Sequence, residues 1–163
     1  MDIRCGFKID EPDVFVPWDV NEDLLGSLIG DRLRVVLKKK PSPIGDYTYY
    51  VVTCKSLDGL NHKLGFHFKD GNLYKLEFFR KSAQDIKGSF EEFQRYFEKG
   101  FGPPLKQLGI SEGFPIYEWT FGKITILHWV NDRFGLEEHM EITRKLNSIV
   151  KQLKKWALRF RVG

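Results

Sequence analysis

The chain has 163 residues, 42% of them hydrophobic and 15% aromatic, with 26 basic side chains against 22 acidic ones. That length and apolar share suit one domain burying about two-thirds of the surface its unfolded form exposes, and they exclude a disordered or fibrous polypeptide. The charge is local, because seven basic residues and no acidic one fall in the last 22 positions, so the net +4 divides into +7 after residue 141 and −3 before it.

Cys5 and Cys54 are too few for a disulfide framework and form no C-x-x-C or Cys/His zinc spacing, so both read as reduced thiols in strands. No apolar run approaches the roughly 18 residues of a membrane span. Met1 to Cys5 begins with Asp2 in place of a basic leader, which reads as a cytoplasmic protein.

Ile3, Cys5, Phe7 and Ile9 alternate with residues suited to solvent and predict a half-buried first strand, broken at Asp10 to Asp13. Asp19 with Glu22 forms a capping-box pattern. A short helix follows, with Leu24, Leu25, Leu28 and Ile29 as its apolar face and Gly30 as its end. Strand patterns then run over Leu33 to Lys38, Tyr47 to Lys55, Leu64 to Phe68 and Leu73 to Arg80. Asp58-Gly59 and Asp70-Gly71 suit the positive φ angles of tight hairpins, so the middle of the chain reads as an antiparallel meander.

Ser89 with Glu92 repeats the capping box, and Phe90, Phe93 and Phe97 lie at helical spacing until Gly100. Pro103-Pro104 cannot continue a helix, and a loop is expected to about Phe114. Ile116 to Phe121 and Ile124 to Val130 predict a hairpin turned at Gly122-Lys123. Asn131 to Gly135 should lead into a long final helix, whose stripe is Ile142, Leu146, Ile149, Leu153, Trp156 and Phe160. With Glu137, Glu138 and Glu141 at its start and the cations toward its end, that helix matches its own dipole. There is no internal repeat or linker. The expected fold is a single α+β domain over 1–163, an antiparallel sheet of meander plus C-terminal hairpin, with helices on one face and a long C-terminal helix.

The basic helix has two readings: a closing element with a solvated face, or a phosphate-binding surface using Lys151, Lys154, Lys155 and Arg159. Lys38-Lys39-Lys40 and the strand aromatics Tyr47, Tyr49, Tyr50, Phe66, Phe68, Tyr74, Phe78 and Phe79 extend the nucleic-acid reading, although these aromatics fall on both strand faces and no RNP-type motif occurs. Among the four histidines, His128 with Asp132, Glu138 and His139 is the tightest set of metal-ligand types. Its spacing is poor: His128 shares a strand face with Ile124, Ile126 and Val130, and Glu138 and His139 would stand about 100° apart on a helix. No G-x-S-x-G, P-loop or G-x-G-x-x-G is found, the paired acids Glu91-Glu92 and Glu137-Glu138 fit first helical turns, and no cofactor is called for.

Phe90-Glu91-Glu92-Phe93, Phe101-Gly102-Pro103, Trp119-Thr120-Phe121-Gly122, Ile126 to His128, and Asp132-Arg133-Phe134-Gly135 with Glu137-Glu138 form a pattern over about Phe90 to Ile142. It resembles the small α+β immunity proteins of bacterial polymorphic, contact-dependent toxin systems. The resemblance implies a cytoplasmic protein that binds one cognate toxin domain and blocks it by occlusion, without catalysis or cofactor. Immunity proteins against nucleases commonly present acidic surfaces, so the basic end of this chain is a departure. It points to another kind of toxin, or to a contact through the acidic residues before position 142. Under this reading the contacts fall on Trp119, Trp129, Asp132, Arg133 and Glu138, residue types enriched at hot spots and steering rims. In purely structural roles, Trp119 and Trp129 would pack under helices, Asp132 would cap the last helix, and Arg133 would pair with a neighbouring acid.

Overall fold

Period-two alternation governs most of the chain, and strands follow from it. The computed structural model describes residues 2–38, 46–80, 84–132 and 135–145. Strands β1 (Gly6–Glu11) and β2 (Val14–Pro17) form a hairpin, followed by helix α1 (Glu22–Ile29) and a single 3-10 turn, Gly30–Arg32. Next come β3 (Arg34–Lys38), β4 (Tyr47–Ser56), β5 (Leu60–Lys69) and β6 (Asn72–Phe79), then helix α2 (Ile86–Phe101). The described part of the chain closes with β7 (Lys106–Ser111), β8 (Phe114–Phe121), β9 (Ile124–Asp132) and β10 (Leu136–Arg144).

All these strands join one antiparallel sheet in the order β2-β1-β4-β5-β6-β10-β9-β8-β7, with β3 lying beside β1 along the same edge of β4. A helix followed by four strands occurs twice, from α1 to β6 and from α2 to β10, and the two sets meet through their last strands. The sequence carries no matching repeat; only the arrangement recurs.

One face of the sheet carries Val52, Leu64, Phe66, Phe68, Leu76, Phe78, Ile126, Met140 and Ile142, which join Leu25 and Ile29 of α1 and Phe93 and Phe97 of α2 in a single core. Both helices therefore cover the same face. Neither is capped by the expected box. Asn21 accepts from the Leu24 amide at 2.8 Å, while Glu22 crosses to the sheet and accepts from the Tyr50 hydroxyl. Asp85 caps α2 by accepting from the Gly88 amide at 2.8 Å, which frees Ser89 to face the sheet. Leu24, expected in the apolar face of α1, is exposed. The stop of α2 is Gly102 at φ 81, two residues beyond the glycine the sequence suggested. Glu91 and Glu92 lie past the first turn, where they face Lys87 and Arg80.

Three expectations are corrected. Cys5 sits in the turn before β1. The stretch read as a loop after Pro104 is the β7–β8 hairpin, whose turn at Glu112-Gly113 takes φ 51 and 80. The long final helix does not begin after Asn131. Leu136–Arg144 is β10, bonded to β9 along its whole length and to β6 over Met140 to Thr143. The reason is the period: Met140 and Ile142 are buried in the core while Glu141 between them and Thr143 after them are only partly covered, which is strand alternation and not a helical stripe. Glu137, Glu138 and Glu141 are thus strand residues and do not open a final helix. The remainder of that stripe, from Leu146 to Phe160, lies outside the described residues, as do Lys39 and Lys40.

Phe97 is fully buried and its ring meets Phe78, Phe101, Trp119 and His128 at centroid distances of 5.2, 5.5, 6.0 and 6.2 Å. Phe97→Ala should lower the unfolding free energy by about 3–5 kcal/mol in urea titration, whereas Leu24→Ala on α1 should cost less than about 1 kcal/mol.

Candidate functional site

The sheet separates two histidine constellations. Beneath α2, His128 of β9 is completely buried, its ring stacked at 4.0 Å on Phe90. Its Nε2 lies 2.8 Å from Glu138 Oε1, its Nδ1 2.9 Å from Gln94 Oε1, and the Ser89 hydroxyl donates to the other oxygen of Glu138 at 2.6 Å. The Gln94 amide nitrogen donates to Glu98 at 2.7 Å, so its oxygen is left to accept from Nδ1–H. A second proton then sits between Nε2 and Glu138. Burial pushes the His128 pKa down and Glu138 pulls it back. The network ties α2 to β9 and β10, and the side chains of His128 and Glu138 are only 0% and 2% exposed, so no solute reaches it.

A second internal group sits where β4 and β5 pair. His62 Nε2 is 2.7 Å from the Ser56 hydroxyl and 3.8 Å from the Cys54 thiol. Burial pushes the thiol up to about 12 and the imidazole down to about 4, the opposite of a thiolate–imidazolium nucleophile.

The other face of the sheet is covered by neither described helix. Its centre is His67, stacked on Tyr49 at 4.3 Å and 4% exposed. Nε2 approaches Glu77 to 2.7 Å, an ionic contact off the line of the N–H bond. The carboxylate holds the proton on that nitrogen, and Nδ1 accepts from the Tyr47 hydroxyl. Desolvation raises Tyr47 to about 12 and raises Tyr49 further, so neither phenol is primed to ionise. Glu77 lies directly opposite Glu141 across β6 and β10, a like-charge pair that Lys75 relieves by reaching both carboxylates, at 3.4 and 3.5 Å. Gly65 makes the aromatic cover possible: a Cβ there would stand 2.6 Å from the Tyr49 ring and 3.0 Å from the Phe79 ring. Farther along, Trp129 and His139 pair across β9 and β10 and stack at 5.0 Å. The strand aromatics thus divide as alternation requires: Tyr47, Tyr49 and Phe79 on this open face, Tyr50, Phe66, Phe68 and Phe78 on the core face.

The expected contact residues are dispersed. Trp119 is 1% exposed, donates to the Gly102 carbonyl at 2.8 Å and belongs to the core. Glu138 is the buried partner of His128. Trp129 is half-buried on the open face, and Asp132 is exposed at the end of β9, accepting from the Gly135 amide at 3.1 Å, with no helix there for it to cap. Arg133, Lys151, Lys154, Lys155 and Arg159 lie outside the described residues. Of the metal-ligand set, His128 and Glu138 meet on the core face, whereas His139 emerges on the opposite one. Among the described residues no group of three His, Cys, Asp or Glu side chains is placed to hold an ion. The sequence reading missed the open-face network of Tyr47, Tyr49, His67, Lys75, Glu77 and Glu141. The alternation of β4 against β5 and β6 held its signal, once those strands were laid in register.

No protein-family model, curated protein or solved structure matches this chain. No described helix is long and apolar enough to cross a membrane.

Burial lowers His62 from 6.5 to about 4 and lowers His67 as well. His62 is neutral when folded and gains a proton on unfolding below pH 6.5, so the stability it contributes is complete above that value and lost as the pH falls toward 4, and the downward shift of His67 acts in the same direction. For His62 the loss approaches about 3 kcal/mol. Urea denaturation at pH 7 and pH 4.5 should show this decline, and His62→Gln should flatten it; equal slopes for both proteins would contradict the assignment.

Proposed function

We propose that this chain is a non-catalytic protein-binding domain, an immunity-type inhibitor that occludes one cognate toxin domain through the open face of its sheet. The observation that carries the reading is the contrast between the two faces. Cys54 and His62, and His128 and Glu138, are enclosed on the core side, each pair committed within itself. The open side instead offers partly covered Tyr49, Phe79, Leu127, Trp129 and His139 on a rigid antiparallel frame. Aromatic side chains presented on strands supply large contact area at low entropy cost, which favours association over bond chemistry. The resemblance of Phe90 to Ile142 to immunity proteins adds the class of partner. Glu138 serves the frame by accepting from Ser89 of α2, and Asp132 by accepting from the Gly135 amide.

Co-expression with the product of the gene immediately upstream, followed by size exclusion at physiological salt, tests the reading. A stable complex is expected. Trp129→Ala combined with Tyr49→Ala should weaken it by a factor of about 100 or more while leaving the core intact, since hot-spot aromatics each carry about 2 kcal/mol or more. Absence of a complex, or full retention of it in the double variant, would count against the proposal.

A further inference from the structure

Two strands compete for one edge of β4. β3 pairs with it from Thr48 to Val51, and β1 pairs with Lys55 and Ser56. Between them, residues 52–54 have β5 on one side and no register partner on the other. The chain leaves a notch there, a groove of about 530 Å³ lined by Asp31, Arg32, Arg34, Val51, Thr53 and Lys63.

Register explains why the cations converge. Arg34 stands opposite Val51 and Lys63 opposite Thr53, and Val51 and Thr53 are two residues apart on one strand, so all four side chains share the open face. Arg32 enters from the 3-10 turn that precedes β3. Elsewhere among the described residues several cations are matched, Lys55 with Glu11, Lys75 with Glu77 and Glu141, Arg80 with Glu92 and Lys99 with Asp58, while Lys69, Arg95, Lys106 and Lys145 stand without an ion pair outside this groove. Arg32, Arg34 and Lys63 form no ion pair among the described residues. Arg32 does bias the neighbouring Glu11 carboxyl downward, after the larger effect of Lys55, but without contact. Asp31 is the one carboxylate in the lining, which leaves the groove at a formal +2.

We propose that this notch binds a phosphoryl oxyanion. Two guanidinium groups offer planar paired donors, Lys63 adds a mobile point charge, and the exposed Thr53 hydroxyl lies at the floor where strand pairing is interrupted. Three unmatched cations around one concavity repel one another, and a multiply charged anion relieves that repulsion while accepting donors from three elements. Such a ligand arrives either free, as a polyphosphate-bearing small molecule, or as the backbone of a single-stranded nucleic acid. The site stands independently of the toxin-inhibitor reading.

Isothermal titration of the full chain with inorganic tripolyphosphate in low-salt buffer is the test, with Arg34→Gln/Lys63→Gln as the site variant and Lys99→Gln as a control cation remote from the groove. Saturable binding is expected, weakened tenfold or more in the double variant and unchanged in the control, with the melting temperature of the ligand-free proteins unaltered. A parallel titration with oligo(dT) separates the sources: tighter binding than tripolyphosphate, lost in the same double variant, identifies a nucleic-acid backbone, and weaker binding identifies a free ligand. The proposal is overturned if tripolyphosphate does not bind saturably, or if it binds the double variant as well as the parent.

Discussion

The pairing of β6 with β10 is the contact on which the rest depends. These are the last strands of the two helix-plus-four-strand sets, and without their junction each set would be a smaller sheet with an exposed central edge. On the inner side the pair places Met140 opposite Phe78 and Ile142 opposite Leu76, all in the core. On the outer side it forces Glu77 against Glu141, a repulsion tolerated because Lys75 sits within reach of both. Burial on one face thus outweighs a charge conflict on the other, and the conflict is then neutralised by a single lysine.

From that junction the two faces diverge in chemistry. The inner face receives both helices and converts its polar groups into fasteners, as with Ser89, Gln94 and Glu98 of α2 gathered around His128 and Glu138. A buried polar pair of this kind contributes little net stability, but losing either partner leaves the other buried without its hydrogen bond. The outer face keeps His67 under the Tyr49 ring and His139 against Trp129, and leaves aromatic edges and unmatched cations toward solvent. Edge strands β3 and β7 add exposed Val35, Val36, Leu37, Leu108 and Ile110, so among the described residues the exposed large apolar side chains fall mostly on strands, Leu24 being the one on a helix.

Much of the frame was legible in the sequence, because alternation in β4, β5 and β6 and the Asp-Gly turns between them are local signals. The phenylalanine spacing of α2 and the hairpin at Gly122 were equally local. What failed had a physical cause in each case. Residues 136–144 carry acids beside apolar residues at spacings that also fit a helical turn, and only their double pairing with β6 and β9 makes them a strand. β7 is weakly patterned and exposed along most of its length, so nothing in its composition distinguishes it from a loop. Glu138 reads in the sequence as an exposed contact residue, whereas the structure buries its side chain; its proximity to His128 and Ser89 arises from three elements that sequence spacing does not relate. The notch at Thr53 is a property of strand competition and has no sequence signature at all.

Under the proposed function, the open sheet face, and not the helical side, meets the partner. Hydroxyl-radical footprinting of the chain alone and in its co-purified complex addresses that claim directly. Strong protection at Tyr49, Phe79 and Trp129, with Tyr96 and Phe101 of α2 unchanged, is the predicted result. Protection confined to α2, with the open face as reactive as in the free protein, would contradict it.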